Sequence, residues 1–194
     1  MSEPLRPWRI LSSEYRIESP HLRLRADRVE LPNGLVVDDF FVREWRGFCV
    51  VFALTPDGNV LLVRQYKHGA GEVVLELPAG VLDADETPET CAARELAEET
   101  GFTGSPPELV RTFLAEPTNA TAHFYLFIVR DATRTREPKL DATEEIVVEF
   151  ATPAEVRAMA LDGRIASGAQ VSSALVALAH LGYFEPLFDP PPSS

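Results

Sequence analysis

Three glutamates, Glu95, Glu98 and Glu99, are spaced to act together because they fall on one face of a helix. At about 100° per residue, positions i, i+3 and i+4 lie within one arc. Like charges at this spacing destabilise an isolated helix by roughly a few tenths of a kcal/mol per pair. One interpretation is a solvated surface face, relieved only by Arg94. The other is a set of hard oxygen ligands for Mg²⁺ or Mn²⁺, in which the cation offsets the repulsion.

The helix that carries these glutamates has well-defined predicted ends. Thr87 is a good N-cap, and Pro88 stands at the first helical position, where its missing N–H costs nothing. Gly101 supplies a left-handed residue to end the helix, and Phe102 supplies the apolar contact that often accompanies such an end. The local sequence therefore predicts that the three carboxylates are held on one short, well-capped helix.

A fixed pattern of residues surrounds this acidic face. From Gly80 through Glu86 to the segment 94–102, the chain fills every fixed position of G-x5-E-x7-R-E-U-x-E-E-x-G-U, where U is aliphatic or aromatic. Nine constrained positions over 23 residues are far more specific than a lone glycine motif. On these residues the chain resembles a Nudix hydrolase. The resemblance implies an α+β fold, the α/β/α Nudix sandwich, and favours the interpretation of the acidic face as a metal site.

The resemblance also implies a role for each residue of the pattern. Glu95 and Glu99 are expected to be the principal metal ligands, and the backbone carbonyl of Ala79 the main-chain ligand. Glu98 is expected to be a further ligand, or to act in catalysis and bind metal only with substrate present. Four residues are expected to support the site, two by backbone geometry and two by a charge-assisted hydrogen bond that orients the cluster: Gly80 and Gly101, and Arg94 and Glu86.

Segments before and after the pattern resemble the branch of the family that hydrolyses ADP-ribose and related nucleotide sugars. They are Glu76-Leu77-Pro78-Ala79-Gly80, the strand end Arg64-Gln65-Tyr66-Lys67, and Pro117, which stands where a marker proline is common. The resemblance implies Mg²⁺-dependent (or Mn²⁺-dependent) cleavage of a nucleoside diphosphate sugar to a nucleoside monophosphate and a sugar phosphate. Two alternatives remain: a Nudix hydrolase of nucleoside triphosphates or another diphosphate, and a non-catalytic regulatory module.

Candidates for the catalytic base and for substrate binding lie outside the pattern. Related enzymes carry a catalytic glutamate in an acidic loop before the last strand of the sandwich, and this chain has Ala142 at that position. Glu144 is the first candidate for the base or for a third metal-binding carboxylate, and Glu145 is the second; the alternative is that both are solvated. The substrate-binding candidates are Arg43, Arg46, Arg64, Glu76 and Glu116, of which Arg64 is alternatively a surface residue and Glu116 a competing base.

Three regions are expected along the chain. Residues 1–46 predict antiparallel strands with a turn at Asn33-Gly34, a unit too small to be stable alone. By resemblance this unit is expected to form a homodimer interface. Residues 47–185 predict the Nudix domain, and residues 186–194 are expected to be a disordered tail.

Within the predicted Nudix domain, the apolar runs Phe48 to Leu54 and Val60 to Tyr66 are expected to pair as a hairpin through the turn Asp57-Gly58. Thr152-Pro153 predicts the start of a helix by the same capping rule as Thr87-Pro88. Ser172 to Leu181 predicts a further, more apolar helix.

Composition excludes several classes of partner. The 194 residues carry a formal charge of −12, which disfavours binding to nucleic acid or to an anionic membrane, whereas a metal-bridged phosphate substrate is compatible with it. The start of the chain lacks the apolar region of a signal peptide, and no apolar run is long enough to span a bilayer. Cys49 and Cys91 are expected to be buried free thiols. A cytoplasmic protein is therefore expected.

Overall fold

The structure is a computed structural model, in which residues 4–184 are described. Its strands are β1 (Arg9–Glu18), β2 (Arg23–Glu30), β3 (Val36–Glu44), β4 (Phe48–Ala53), β5 (Val60–Lys67), β6 (Glu72–Glu76), β7 (Ala79–Val81), β8 (Phe102–Thr103), β9 (Glu108–Leu114), β10 (His123–Val129), β11 (Thr133–Arg134) and β12 (Ile146–Ala151). Its helices are α1 (Pro88–Thr100), α2 (Pro153–Asp162) and α3 (Gly168–His180). The predicted tail, residues 186–194, lies outside the described residues.

One compact unit of the chain comprises the residues up to Gly47 together with Leu114–His123. In it β1, β2 and β3 form an antiparallel sheet with β2 in the centre. The chain reverses between β2 and β3 at the predicted turn, where Gly34 has a φ of 85° that a residue with a side chain rarely adopts. Nine of the ten residues of β1 are exposed, so this strand has one edge and most of its surface open.

The second compact unit comprises Phe48–Phe113 and the residues from Phe124 onward. It contains a four-stranded sheet in the order β7-β4-β10-β9 and a three-stranded sheet in the order β12-β5-β6. β4 and β10 are parallel, whereas β5 is antiparallel to both of its neighbours. The short strands β8 and β11 pair with each other beside the end of α1.

The predicted hairpin between β4 and β5 is wrong. In the described part of the chain, the bridge between Leu54 and Val60 is the only ladder contact that joins them. Both strands are buried along most of their length. Continuous apolar runs are typical of strands at the centre of a sheet, and each such strand needs hydrogen-bonding neighbours on both edges. β4 takes β7 and β10, β5 takes β6 and β12, and the two strands diverge beyond the turn.

The helix ends agree closely with their capping residues. The Thr87 hydroxyl accepts a hydrogen bond from the Thr90 N–H at 3.3 Å, and Gly101, with a φ of 79°, donates its N–H to the Ala97 carbonyl at 3.1 Å. These contacts confirm the predicted ends of α1. α2 starts after Thr152 as predicted, while α3 starts at Gly168, four residues before the predicted position.

The core of the second unit fixes α1 against the four-stranded sheet. Cys91 and Leu96 of α1 belong to one buried cluster with Cys49, Val51 and Phe127 of β4 and β10. The two cysteines are buried free thiols, as predicted, with their sulfur atoms 3.0 Å apart. Hydrogen bonding to Cys91 and burial raise the pKa of Cys49. Among the helices of residues 4–184, none is long and apolar enough to cross a membrane.

Candidate active site

Two glutamates of α1 face the segment that joins β6 to β7. Glu99 is 4% exposed, and its Oε2 accepts a hydrogen bond from the Ala79 N–H at 3.0 Å. Glu95 lies over Gly80, because a Cβ atom added at residue 80 would overlap the Glu95 carboxylate. The glycine is therefore required for the close approach of helix and strand, which is the structural reason for a residue without a side chain at this position.

Burial makes both carboxylates difficult to ionise. It raises the pKa of Glu99 to about 8, against the smaller opposing effect of the Ala79 N–H. It also raises the pKa of Glu95, where the charge of Arg94 opposes the shift. Two neighbouring carboxylates with raised pKa values are at a functional site more often than on an ordinary surface, and a bound cation would restore their ionised forms.

Arg94 connects the acidic residues of the cluster. Its Nε and Nη2 atoms each donate to the Glu86 carboxylate at 2.8 Å. Its Nη1 atom donates to Glu95 at 2.7 Å and to Glu98 at 3.2 Å, and Nη2 also donates to the Val81 carbonyl at 3.2 Å. The hydrogen bonds to Arg94 hold the pKa of Glu86 below its ordinary value. The guanidinium thus holds two of the predicted metal ligands, Glu95 and Glu98, and the predicted supporting residue Glu86 around one positive charge.

The carboxylate oxygens of Glu95, Glu98 and Glu99 are suitable ligands for a divalent cation. Carboxylate oxygens are the ligands that Mg²⁺ and Mn²⁺ prefer. The buried Glu99 and the half-buried Glu95 both keep raised pKa values, so the charges around them do not fully compensate for burial. Within residues 4–184, no three acidic, histidine or cysteine side chains already converge at metal-binding separations. The reason is visible in the hydrogen bonds: Glu99 turns to Ala79, whereas Glu95 and Glu98 turn to Arg94. Cation binding would exchange part of the Arg94 contacts for contacts with the metal.

The loop that follows β11 packs on the C-terminal end of α1. The N–H groups of Thr135 and Arg136 donate to the Gly101 carbonyl, and the Lys139 N–H donates to the Glu98 carbonyl at 2.8 Å. A side chain at residue 101 would overlap the Arg136 carbonyl, so Gly101 serves this contact as well as the helix end. The loop is therefore tied to the same turn of helix that carries Glu98.

This loop brings Glu144 towards the cluster. Glu144 is exposed, and its Oε2 accepts a hydrogen bond from the Asp141 N–H at 3.1 Å. The charge of Glu144 raises the pKa of both Glu95 and Glu99. Glu145 is also exposed. The charge of Glu144 thus acts on the acidic residues of α1.

Three further polar residues, Gln65, Lys67 and Glu76, lie on the paired strands β5 and β6. Glu76 is buried, and its Oε2 lies 3.4 Å from Gln65 Nε2 and 3.5 Å from Lys67 Nζ. Burial raises the pKa of Glu99, and the positive charge of Lys67 is one of the smaller effects that oppose this rise. The sequence did not single out Lys67. The signal that could have indicated Lys67 was its position at the end of the Arg64–Lys67 segment, directly before the loop to β6.

Arg64 is engaged elsewhere on the sheet. Its Nε and Nη2 atoms donate to the two oxygens of Glu149 at 2.5 and 3.1 Å, across the pairing of β5 with β12. The hydrogen bonds to Arg64 hold the pKa of Glu149 below its ordinary value. A phosphate contact by Arg64 would therefore compete with an ion pair that already satisfies the guanidinium in part.

The other substrate-binding candidates belong to the first compact unit. Arg43 forms an ion pair with Glu116 at 3.0 Å, and its guanidinium lies 4.7 Å from the centre of the Trp45 ring. The Arg43 backbone also exchanges hydrogen bonds with Asn119 and Thr121. Arg46, two residues beyond the end of β3, is exposed. The structure brings Arg43 and Glu116 together, a pairing that their separation along the chain does not indicate.

Comparison with known proteins identifies the class. A NUDIX domain model matches residues 44–171, and a model of the nucleoside diphosphate sugar hydrolase N-terminal domain matches residues 8–42. The chain therefore belongs to the Nudix family, and the prediction of a Nudix hydrolase from the pattern at residues 80–102 is confirmed. Nudix hydrolases generally use a divalent metal ion.

Individual relatives agree with this membership. The chain is 32% identical to an ADP-ribose pyrophosphatase of Bacillus subtilis over 126 residues, 65% of this chain and 67% of that protein. It is 33% identical to a methanol dehydrogenase activator of Bacillus methanolicus over 113 residues, 58% of this chain and 60% of that protein. The chain thus spans about two thirds or less of the length of these relatives.

A solved structure supports the fold. The chain is similar to a crystal structure of an ADP compounds hydrolase, with a TM-score of 0.81 and 19% identity, over 94% of this chain and 98% of that one. The predicted α+β Nudix fold with an additional N-terminal antiparallel unit is therefore confirmed.

Proposed function

We propose that this protein hydrolyses the diphosphate of ADP-ribose or a related nucleoside diphosphate sugar to a nucleoside monophosphate and a sugar phosphate. The observation that carries the proposal is a pair of glutamates with raised pKa values, the buried Glu99 and the half-buried Glu95, set against Ala79 and Gly80. The substrate class is supported by the match to the nucleoside diphosphate sugar hydrolase N-terminal domain and by the similarity to an ADP-ribose pyrophosphatase.

We assign the metal site to Glu95, Glu98, Glu99 and the Ala79 carbonyl. Mg²⁺ or Mn²⁺ bound there would neutralise the diphosphate and acidify a water. Arg94 orients the carboxylates through its hydrogen bonds and keeps their charge balanced between turnovers. The supporting roles of Gly80, Gly101 and Glu86 follow from the close approach and the hydrogen bonds described above.

Glu144 is our first assignment for the base. It accepts a proton as the water oxygen bonds to phosphorus and the bridging P–O bond breaks, so that the leaving phosphate carries away the electron pair. Its exposure and its electrostatic effect on Glu95 and Glu99 support this role. Glu145 and Glu116 remain the second and competing candidates.

Lys67 is our first assignment for a phosphate contact from the second unit, with Glu76 orienting its ammonium. Arg64 follows it because Glu149 already engages that guanidinium. Arg43 and Arg46 remain candidates for contacts with the substrate.

The test is product analysis with the purified chain. With ADP-ribose and Mg²⁺ we expect equal amounts of AMP and ribose 5-phosphate, and no products in excess EDTA. Glu99→Gln should lower kcat at least about 100-fold, because the loss of about 3 kcal/mol of transition-state stabilisation has that effect. Glu89→Gln is the matched control, since Glu89 is an exposed glutamate in the first turn of the same helix. Wild-type turnover by Glu99→Gln would refute the metal assignment.

A regulatory module is the second candidate function, because one relative is a methanol dehydrogenase activator. A module of this kind would bind a nucleoside diphosphate without cleaving it. Calorimetry with ADP-ribose, followed by chromatography of the recovered ligand, separates the two functions. Unchanged ligand from this compound, from a panel of nucleotide sugars and from dGTP would favour the module, whereas preferred cleavage of dGTP would favour a nucleoside triphosphate hydrolase.

We further propose that the protein is a homodimer formed through its N-terminal sheet. Trp8, Ile10, Ile17 and Phe41 of this region are large apolar residues that are exposed in the single chain. A contiguous exposed apolar patch marks a protein interface, and we propose that these four side chains belong to one. Light scattering should give twice the mass of the chain, and Ile10→Glu should give the monomer. The free, closely spaced thiols of Cys49 and Cys91 support a reducing compartment, for which we propose the cytoplasm.

A further inference from the structure

The chain leaves one sheet and enters the other just before Gly80. The last pair that joins β6 to β5 is Glu76 with Val63, and the first pair that joins β7 to β4 is Ala79 with Val50. Leu77 lies between these two ladders and is fully buried. A buried residue at such a crossing has a backbone N–H and a C=O that no strand supplies with partners, and leaving them unpaired would be costly.

Gln170 of α3 supplies both partners. Its Oε1 accepts a hydrogen bond from the Leu77 N–H at 3.0 Å, and its Nε2 donates to the Leu77 carbonyl at 3.3 Å. The side chain is 4% exposed, and 93 residues separate it from Leu77 along the chain. One side-chain amide thus replaces the neighbouring strand that Leu77 lacks, and it does so from a helix outside the Nudix pattern.

The backbone held by Gln170 continues directly into the candidate metal site. The Pro78 carbonyl accepts a hydrogen bond from the Val51 N–H at 2.8 Å, and the next residue, Ala79, donates its N–H to Glu99. Gly80 follows, with the Glu95 carboxylate over it. Because only two residues separate Leu77 from Gly80, a rotation of the Leu77 peptide changes the position of the Ala79 backbone and of both glutamates that contact this segment.

We propose that Gln170 is a positioning residue for the metal site: its side-chain amide sets the backbone on which Glu99 and Glu95 rest. This proposal rests on the proposed function, because the metal site that Gln170 positions is the one assigned there. Gln170 touches neither the glutamates nor a substrate atom in this role. Partners one shell away from a metal ligand typically change metal affinity or activity by about 10- to 100-fold when they are removed.

The experiment is a Mn²⁺ titration of the full chain by calorimetry without substrate. In Gln170→Met, which keeps the length and loses both hydrogen bonds, we expect the dissociation constant for Mn²⁺ to rise about 10-fold. Amide hydrogen exchange in EDTA should show faster exchange at Leu77 and Ala79. A dissociation constant equal to that of the wild type would overturn the proposal.

Two controls separate positioning from loss of stability. Ser173→Ala changes a fully buried residue one turn later on α3, whose hydroxyl has no hydrogen-bond partner among the described residues, and it should bind Mn²⁺ like the wild type. Ile165→Val removes a buried methylene group from a residue outside α1, α3 and the segment 77–80, so it lowers stability and leaves the Gln170 hydrogen bonds in place. If Ile165→Val and Gln170→Met have the same free energy of unfolding and weaken Mn²⁺ binding equally, the proposal is wrong.

A shorter amide provides the second variant should Gln170→Met not fold. Gln170→Asn keeps both polar groups but lacks one methylene, so it cannot hold the Leu77 N–H and C=O together in the same geometry. We expect the same direction of change in the Mn²⁺ dissociation constant, and wild-type binding by this variant would count against the proposal. If the wild type binds Mn²⁺ but cleaves no diphosphate, the proposed function is refuted. The role of Gln170 is still tested by comparing the Mn²⁺ dissociation constants of the wild type and Gln170→Met.

Discussion

Glu99 should make the stability of the metal-free protein depend on pH in an unusual direction. Its pKa rises from the ordinary 4.5 to about 8 in the folded protein because the carboxyl group is buried. A group with a raised folded-state pKa contributes its stability fully below the unfolded-state pKa and loses it as pH rises through the folded-state value. The folded protein should therefore lose stability between about pH 4.5 and pH 8, whereas the groups with lowered pKa values, such as Glu86, lose theirs below this window.

The size of the effect follows from the shift. At about 1.4 kcal/mol per pKa unit, the full shift of Glu99 corresponds to an upper limit of about 5 kcal/mol in the free energy of unfolding. Glu99→Gln keeps an oxygen that can accept the Ala79 N–H but never ionises. Relative to this variant, the wild type should lose up to about 5 kcal/mol between pH 4.5 and pH 8.

Urea denaturation in EDTA at several pH values between 4.5 and 8.5 measures this difference. Saturating Mn²⁺ at pH 8 should restore the stability of the wild type, because the cation binds the ionised form, and should have a smaller effect on Glu99→Gln. A difference between the two proteins that stays constant across this pH range would show that Glu99 ionises normally. The claim that the burial of this carboxylate prepares a cation site would then be refuted.

Three substitutions test the rest of the cluster. Gly80→Ala should displace the Glu95 carboxylate and raise the Mn²⁺ dissociation constant about 10-fold by calorimetry, because a Cβ atom has no room there. Arg94→Met should lower the free energy of unfolding in EDTA by about 2 kcal/mol in urea melts, since it leaves partly buried glutamates without their shared cation. Glu144→Gln should lower kcat about 100-fold with a small change in KM, as expected for loss of a general base.

Each of these substitutions has a matched control. Gly69→Ala adds a methyl group in open space with an ordinary φ and should leave Mn²⁺ binding unchanged. Arg134→Met removes an exposed ion pair with Glu137, so its effect on unfolding should be small. Glu145→Gln should keep kcat within about twofold, since its neighbour carries the proposed role. Equal effects in a substitution and its control would contradict the corresponding assignment.

Local patterns predicted the parts of the fold that depend on neighbours along the chain. The ends of α1 follow from Thr87, Pro88 and Gly101, whose capping contacts involve residues within one or two turns. The hairpin at Asn33-Gly34 follows from the φ that the turn requires. The pairing of β4 with β5 was the failure, because two buried runs around a turn do not reveal that each takes its neighbours from other parts of the chain.

The candidate site divides in the same way. Helical spacing placed Glu95, Glu98 and Glu99 on one face, and the Nudix pattern related that face to a metal. The pairing of Arg43 with Glu116, the effect of the Lys67 charge on the pKa of Glu99, and the two hydrogen bonds from Gln170 to Leu77 have no signal in local spacing.

The sequence by itself thus determined the class of this protein, because all the fixed positions of the Nudix pattern lie within 23 consecutive residues. Only the tertiary structure decided how the acidic helix works as a site. Burial raises the pKa of Glu99, and the lack of a side chain at Gly80 leaves room for the Glu95 carboxylate. Gln170 supplies the hydrogen bonds that Leu77 lacks from a neighbouring strand. Each of these effects depends on the atoms that surround a carboxylate or a peptide group, exclude water from it or satisfy its hydrogen bonds. Those atoms belong to residues that are distant along the chain, so local sequence patterns do not indicate them.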